Sequence, residues 1–159
     1  MDTEIINVHI GEVKTGSGAV QLQTILGSCI GLGFLWRKRG LYGIAHCLLP
    51  DSRGKDYEIG ARYVDQAIYS LIQSMSITDT RQIRAVVAGG GNMTRQDGDK
   101  VDNLVGTLNA KSAEQELKAN GIRILQQETG GSVGRKLTID CATGEFMIHD
   151  IPRLQAQKL

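Results

Sequence analysis

A cysteine and a histidine seventeen residues apart are the side chains in this sequence best suited to nucleophilic chemistry. Cys29 follows Gly27 and Ser28 directly, at the point where a glycine turn leads into an apolar run. A thiol at the end of a strand can be exposed while its backbone is held, and the preceding amides could stabilise an oxyanion. His46 could lower the pKa of a neighbouring thiol, supply the thiolate and protonate a leaving group. The two residues therefore suggest a Cys–His nucleophilic site.

A β-hairpin would have to bring these two residues together. The apolar runs 30–36 and 41–49 are separated by the basic turn 37–40, which predicts such a hairpin. In an ideal register Cys29 faces about residue 48, so His46 lies two positions away, roughly 7 Å along the strand at about 3.3 Å per residue. A bulge or the reach of the side chains would close that distance.

Other interpretations of these residues stay open. Most buried cysteines are inert, and Cys47, next to His46, should face the opposite side of its strand and join the core. Cys141 lies in a predicted turn, and no C-x-x-C spacing supports a zinc site. Ser28 is not in a G-x-S-x-G elbow, and Gly89-Gly90-Gly91 lacks the spacing of a nucleotide-binding loop.

The remaining segments predict a mixture of strands and helices. Further strands are expected at 5–10, 19–25, 83–88, 122–128, 134–139 and 145–151, and helices at 58–75 and 110–120. Asn109 is the expected N-cap of the second helix, and Gly121 its stop. Strict β-α-β alternation is absent, which favours an α+β fold, a mixed or antiparallel β-sheet with helices packed outside.

Length and composition limit the classes of protein. The 159 residues, 41% hydrophobic and 22% charged, predict one domain over 1–159. A net charge of +1 and only one tryptophan, four tyrosines and two phenylalanines argue against a nucleic-acid surface. No apolar run approaches the roughly 18 residues of a membrane span. Three cysteines and a polar N-terminus indicate a cytoplasmic protein.

Several separated motifs resemble those of one protein family. Segments 24–31 (TILGSCIG) and 43–50 (GIAHCLLP) are similar to signatures of the CheD family, the chemoreceptor glutamine deamidases of bacterial and archaeal chemotaxis. The similarity continues in the same order through 88–93 and 105–109, and then through short motifs at 128–131, 134–135 and 143–144. Several motifs in register make the resemblance much more specific than any one of them.

The resemblance implies roles for particular residues. Cys29 would be the nucleophile and His46 the general acid and base. A threonine shortly before the cysteine would be the third catalytic member, and Thr24 is the candidate, although Gln23 holds the position used in some members. The implied fold is an α/β sandwich related to cysteine hydrolases. Leu108 stands where the family often carries arginine.

The resemblance also implies an activity and partners. The amides near Gly27 and Ser28 would hold the oxyanion while a specific glutamine on a chemoreceptor is hydrolysed to glutamate through a thioester, with no metal or organic cofactor. The substrate would be a cytoplasmic helix of a methyl-accepting chemoreceptor, bound in a groove walled by loops 52–56 and 91–100. A CheC-type phosphatase would bind the same groove. The alternative is a docking module for that phosphatase with weak or no deamidase activity.

Overall fold

A computed structural model of the chain describes residues 2–54, 57–92 and 104–151. Within them the chain forms nine strands and two α-helices. The strands are β1 (Glu4–Asn7), β2 (Val13–Gly16), β3 (Val20–Leu26), β4 (Ile30–Trp36), β5 (Leu41–Cys47), β6 (Arg84–Gly89), β7 (Arg123–Thr129), β8 (Gly134–Asp140) and β9 (Glu145–Ile151). The helices are α1 (Val64–Ser74) and α2 (Val105–Ala119), and neither is long and apolar enough to cross a membrane.

The strands form two mixed sheets. A four-stranded sheet has the order β1-β3-β8-β9, and a five-stranded sheet has the order β2-β5-β4-β6-β7. Only the pairs β1–β3 and β6–β7 are parallel among the pairs in the described residues. The predicted α+β sandwich of mixed and antiparallel sheet is therefore confirmed.

The five-stranded sheet is the middle of three layers. Every residue of β4 is buried, because this strand is covered on both faces. Ile30, Leu32 and Phe34 point to the face where α1 and α2 pack, whereas Leu35 belongs to a second core against the four-stranded sheet. The long apolar run of β4 thus serves two cores at once, and its residues alternate between them.

Both helices begin at different residues from those predicted. Helix α1 begins at Val64 rather than Glu58, because the preceding residues are extended: Tyr63 bridges to Leu49, and the Ala61 N–H donates to the Gly11 carbonyl at 3.0 Å. Helix α2 begins at Val105, five residues before the predicted start. For α1, contacts with residues distant in sequence therefore decide where the helix begins.

The N-terminal segment forms two short strands rather than one. The strand predicted over 5–10 ends at Asn7, and the unpredicted β2 pairs with β5 on the other sheet. The connection between them is bonded to the histidine strand, since the Gly11 N–H donates to the His46 carbonyl at 2.8 Å and the His46 N–H donates to the Glu12 carbonyl at 3.1 Å. This crossing from one sheet to the other therefore binds both backbone polar groups of His46 along one side of β5.

Candidate active site

The register of the β4–β5 hairpin places Cys29 and His46 on one face. Ile30 lies opposite Cys47 and Gly31 opposite His46, so the register continues to Cys29 opposite residue 48, as predicted. Cys29 and His46 are then diagonal neighbours, at a typical separation of roughly 7–8 Å between Cα atoms. Both face the four-stranded sheet, whereas Cys47 is fully buried in the core beneath the helices. The prediction that Cys47 belongs to the core is confirmed.

Thr24 of the four-stranded sheet reaches across to the histidine ring. Its Oγ1 lies 2.7 Å from His46 Nδ1 and donates to the Val8 carbonyl at 2.6 Å. Gln23 points to the outer face of the same sheet, where its Nε2 donates to Asn7 Oδ1. Of the two residues that the sequence leaves open for the third position, it is therefore Thr24 that contacts His46.

A glycine allows β3 and the histidine strand to approach closely enough for this contact. Gly31 lies opposite His46, and a Cβ at Gly31 would sit 2.7 Å from Leu26 Cδ1 and 3.3 Å from Thr24 Cγ2. Both of those side chains come from β3 in the facing sheet. The missing side chain lets β3 approach closely enough for the threonine hydroxyl to meet the ring.

The hydrogen bonds around His46 define which ring nitrogen carries the proton. A backbone carbonyl can only accept, so the hydroxyl hydrogen of Thr24 goes to Val8. The threonine oxygen then accepts from Nδ1–H, and the Val8 carbonyl, 3.3 Å from Nδ1, is a second acceptor on the same side. In the neutral ring Nδ1 is protonated and Nε2 is left with a free lone pair. The arrangement prepares Nε2 to accept a proton.

A glycine turn after β6 holds the loop that carries the thiol. The Gly91 N–H donates to the Gly27 carbonyl at 2.9 Å, and the Gly90 N–H donates to the Cys29 carbonyl at 2.8 Å. Gly89 has φ +104°, and a Cβ there would lie 2.2 Å from the Cys29 carbonyl oxygen, so only glycine fits. The three consecutive glycines thus serve as a close backbone support for Cys29 rather than as a phosphate loop.

A buried arginine hydrogen-bonds to that turn and to the residue after the end of β7. Arg135, only 8% exposed, donates from Nη1 to the carbonyls of Gly89 at 3.0 Å and Gly130 at 2.8 Å. Its Nε lies 3.5 Å from an Asp150 carboxylate oxygen. The sequence contained the Gly134-Arg135 motif, but nothing in its spacing indicated a link to the cysteine.

Asn109 of α2 hydrogen-bonds to the 27–29 loop that carries the thiol. It is not the predicted helix N-cap but a fully buried residue within α2, whose Nδ2 donates to the Ser28 carbonyl at 3.0 Å and to the Leu48 carbonyl at 3.1 Å. The neighbouring Leu108 is 39% exposed at the surface of the helix. Sequence reasoning missed Asn109 as part of the site, because an asparagine before an apolar stripe is also a good capping signal.

The carbonyls of the loop accept hydrogen bonds, whereas two of its amides have no backbone acceptor in the described part of the chain. Among residues 2–54, 57–92 and 104–151, no backbone carbonyl accepts from the N–H of Ser28 or Cys29. The carbonyls of Gly27, Ser28 and Cys29 all accept hydrogen bonds, which fixes the orientation of the peptide planes. Oriented amide donors of this kind can bind a negatively charged oxygen.

Burial controls the charge state of the site at rest. Desolvation raises the pKa of the Cys29 thiol, which is 7% exposed. Desolvation lowers the pKa of His46, and the nearby His9 lowers it further, against the opposing effect of the Val8 carbonyl. The predicted lowering of the thiol pKa by the imidazole is therefore wrong in direction, since burial disfavours both the thiolate and the imidazolium.

The predicted groove walls are only partly within the described residues. At the start of the 52–56 segment, Ser52 lies in a loop as predicted, but it is buried and donates from Oγ to Asp65 Oδ2 at 2.5 Å, which ties its side chain to α1. Residues 55–56 and 93–100, including Met93 of the family motif, lie outside the described residues. In the described part of the chain, no group of three or more His, Cys, Asp or Glu could hold a metal ion.

Comparison with known proteins identifies the family. Residues 48–150 match the model of a family described as CheD chemotactic sensory transduction. This chain belongs to the CheD family. A Ruegeria sp. (strain TM1040) protein named probable chemoreceptor glutamine deamidase CheD 2 is 42% identical, over 94% of this chain and 93% of that one. A Bdellovibrio bacteriovorus protein named probable chemoreceptor glutamine deamidase CheD is 36% identical, over 92% of this chain and 95% of that one.

Solved structures share the fold of this CheD family member at low sequence identity. The Neisseria meningitidis protein NMB0706, of the family DUF152, superposes with a TM-score of 0.51 and 12% identity, over 82% of this chain and 65% of that chain. The likeness concerns the arrangement of sheets and helices alone. The match to the CheD family model begins at residue 48, after Thr24, Cys29 and His46, so the roles of these three residues depend on their motifs and geometry.

Proposed function

We propose that this chain is a protein-glutamine deamidase that acts on chemoreceptors through Cys29 and His46. The observation that carries the proposal is the 2.7 Å contact between Thr24 and His46 Nδ1, on the sheet face that Cys29 shares. It leaves Nε2 as the basic nitrogen on the sheet face that also carries Cys29, and the N–H groups of Ser28 and Cys29 have no backbone acceptor among the described residues. Relatives that cover nearly the whole chain are named probable chemoreceptor glutamine deamidases, which supports the choice of substrate.

The first half of the reaction forms a thioester. Since burial keeps both groups neutral at rest, His46 Nε2 takes the thiol proton as Cys29 Sγ attacks the carboxamide carbon. The N–H groups of the 27–29 loop hold the oxyanion. The C–N bond then breaks, the imidazolium protonates the leaving nitrogen, and ammonia departs from the acyl-enzyme.

The second half releases glutamate. His46 takes a proton from a water molecule, which attacks the thioester carbon, and the imidazolium returns the proton to the departing thiolate. The sum is glutamine plus water giving glutamate plus ammonia, and neither a metal nor an organic cofactor takes part. The product adds a negative charge to a receptor helix in the cytoplasm, and this changes how that helix packs against its neighbours.

The recessed thiol favours a long substrate side chain. Cys29 is only 7% exposed, so a substrate carboxamide has to reach below the protein surface. A glutamine that extends from a helix can reach a recessed thiol with its three side-chain bonds. We therefore propose that the helix stays at the surface while only the carboxamide enters.

Replacement of the thiol tests the proposal directly. The Cys29→Ala variant should release no ammonia above background from a purified cytoplasmic receptor fragment, and mass spectrometry should find the glutamines intact. The His46→Ala variant should lose about 10²–10⁴-fold in rate, the usual contribution of a general acid–base group.

A matched thiol provides the control. Cys141 is also buried, at 4% exposure, but lies at the end of β8 in the turn to β9. The Cys141→Ala variant should retain turnover. If Cys29→Ala kept its fold and deamidated the fragment at the parent rate, the thiol mechanism would be abandoned.

A second function is consistent with the burial of the thiol. A docking module for a CheC-type phosphatase would not need a reactive thiol, and Cys29 is only 7% exposed. Iodoacetamide labelling separates the two functions. An enzyme should show labelling of Cys29 that His46→Ala slows, whereas a docking module should show three equally slow thiols and a phosphatase affinity that does not depend on Cys29.

A further inference from the structure

We propose that Asn109 is a positioning residue that fixes the distance between the Cys29 loop and the end of the histidine strand. Its Nδ2 donates to the carbonyl of Ser28, which adjoins Cys29, and to the carbonyl of Leu48, two residues after His46. The two acceptors lie 3.0 and 3.1 Å away, so both amide hydrogens are used. One side chain from α2 thereby joins the two segments that carry the reacting groups.

The orientation of this amide is unambiguous. Both neighbours of Nδ2 are carbonyl oxygens, which can only accept, so the amide cannot be turned over. Its Oδ1 is then buried without a partner among the described residues. A buried acceptor without a partner destabilises the folded chain. An apolar side chain would avoid that penalty but would leave the Ser28 and Leu48 carbonyls without their donor, so what Asn109 supplies is the link between these two segments.

The two carbonyls repel each other unless a donor lies between them. If the amide is removed, the Ser28 and Leu48 oxygens face each other, and the loop should move away from the strand end. A displacement of about 1 Å in a reacting group can reduce a rate by about 10²-fold. We expect a loss in kcat rather than in KM, because Asn109 is fully buried and does not contact the substrate.

This inference rests on the proposed function, but one assay needs no receptor. The rate of iodoacetamide labelling at Cys29 as a function of pH reports how well His46 accepts the thiol proton. In Asn109→Ala the dependence of this rate on His46 ionisation should disappear. In a His46→Ala background, Asn109→Ala should cause little further loss, because the contact it positions is already gone.

Asn120 provides the matched control on the same helix. It donates from Nδ2 to the Glu116 carbonyl at 2.8 Å, at the C-terminal end of α2. Asn120→Ala removes a similar hydrogen bond and should leave kcat and the labelling profile of Cys29 unchanged. Asn109→Ala should lower kcat on the receptor fragment by about 10²-fold.

Three outcomes would overturn the positioning role. The first is an unchanged kcat and labelling profile in Asn109→Ala, and the second is a full additional loss in the His46→Ala background. If circular dichroism shows that Asn109→Ala does not fold, Asn109→Asp is measured instead, because it keeps the shape of the side chain but lacks the two donors. The third outcome is that neither variant folds, which would assign Asn109 to stability alone. Activity of Cys29→Ala would instead refute the proposed function, while the labelling assay still tests Asn109.

Discussion

Replacing Thr24 with valine removes a single oxygen from between the two sheets and nearly keeps the volume of the side chain. That oxygen makes two hydrogen bonds, to the Val8 carbonyl at 2.6 Å and to His46 Nδ1 at 2.7 Å. Without it, Nδ1–H turns to the Val8 carbonyl, 3.3 Å away, so the tautomer with a free Nε2 persists. The net loss is about one neutral hydrogen bond, roughly 0.5–1.5 kcal/mol. We therefore expect kcat to fall by only about 2- to 13-fold, at 1.36 kcal/mol per factor of ten.

The assay is ammonia release from a receptor fragment, with the melting temperature measured on the same samples. Thr138→Val, on the strand beside β3 and opposite Gln23, is the control and should leave kcat unchanged. A fall of 10³-fold in a folded Thr24→Val would refute the reasoning, because the Val8 carbonyl would then not hold the ring. An unchanged kcat would show equally that the threonine does not orient the histidine.

The other predictions concern pH and one glycine. Because desolvation lowers the pKa of His46, the acid limb of kcat/KM should lie below the ordinary imidazole pKa of about 6.5, and an acid limb above it would contradict a buried base. Because the pKa of His46 is lower in the folded chain, the unfolded chain binds the proton more readily. The free energy of unfolding should therefore decrease as pH falls through about 6.5. Urea titrations at several pH values should show that this decrease is absent in His46→Gln. Gly89→Ala would place a Cβ 2.2 Å from the Cys29 carbonyl oxygen and should destabilise the fold. The control is Gly18→Ala, where a Cβ would meet no atom within 4 Å and the φ of +69° alone costs about 1–2 kcal/mol. Gly89→Ala should lower the free energy of unfolding by more than this control. Equal losses in the two glycine variants would show that the close approach at Gly89 is unimportant.

The hairpin that carries the cysteine and the histidine could be predicted because its register is set locally. Two apolar runs flank the turn at 37–40, and strand pairing then fixes which residues lie opposite one another. The face that each residue takes follows from the alternation of a strand, which also separates Cys47 from His46. No information from outside the hairpin is needed for these conclusions.

The supports of the site could not be predicted, since they depend on contacts between distant segments. The choice between Gln23 and Thr24 depends on which face of β3 meets the other sheet. The place of Asn109 depends on a helix that starts five residues earlier than its capping signal suggests. The pKa of Cys29 was mispredicted because spacing shows a neighbouring imidazole but does not show desolvation.

The hydrogen bond between Thr24 and His46 is also the point where two separate layers of the protein touch at the site. A partial loosening of one layer from the other would break it while each layer kept its own strands paired. Turnover should then begin to fall at a lower urea concentration than the circular dichroism signal does. The proposed deamidation rate should therefore depend on how tightly the two sheets pack against each other. We expect that substitutions far from Cys29 can also slow it.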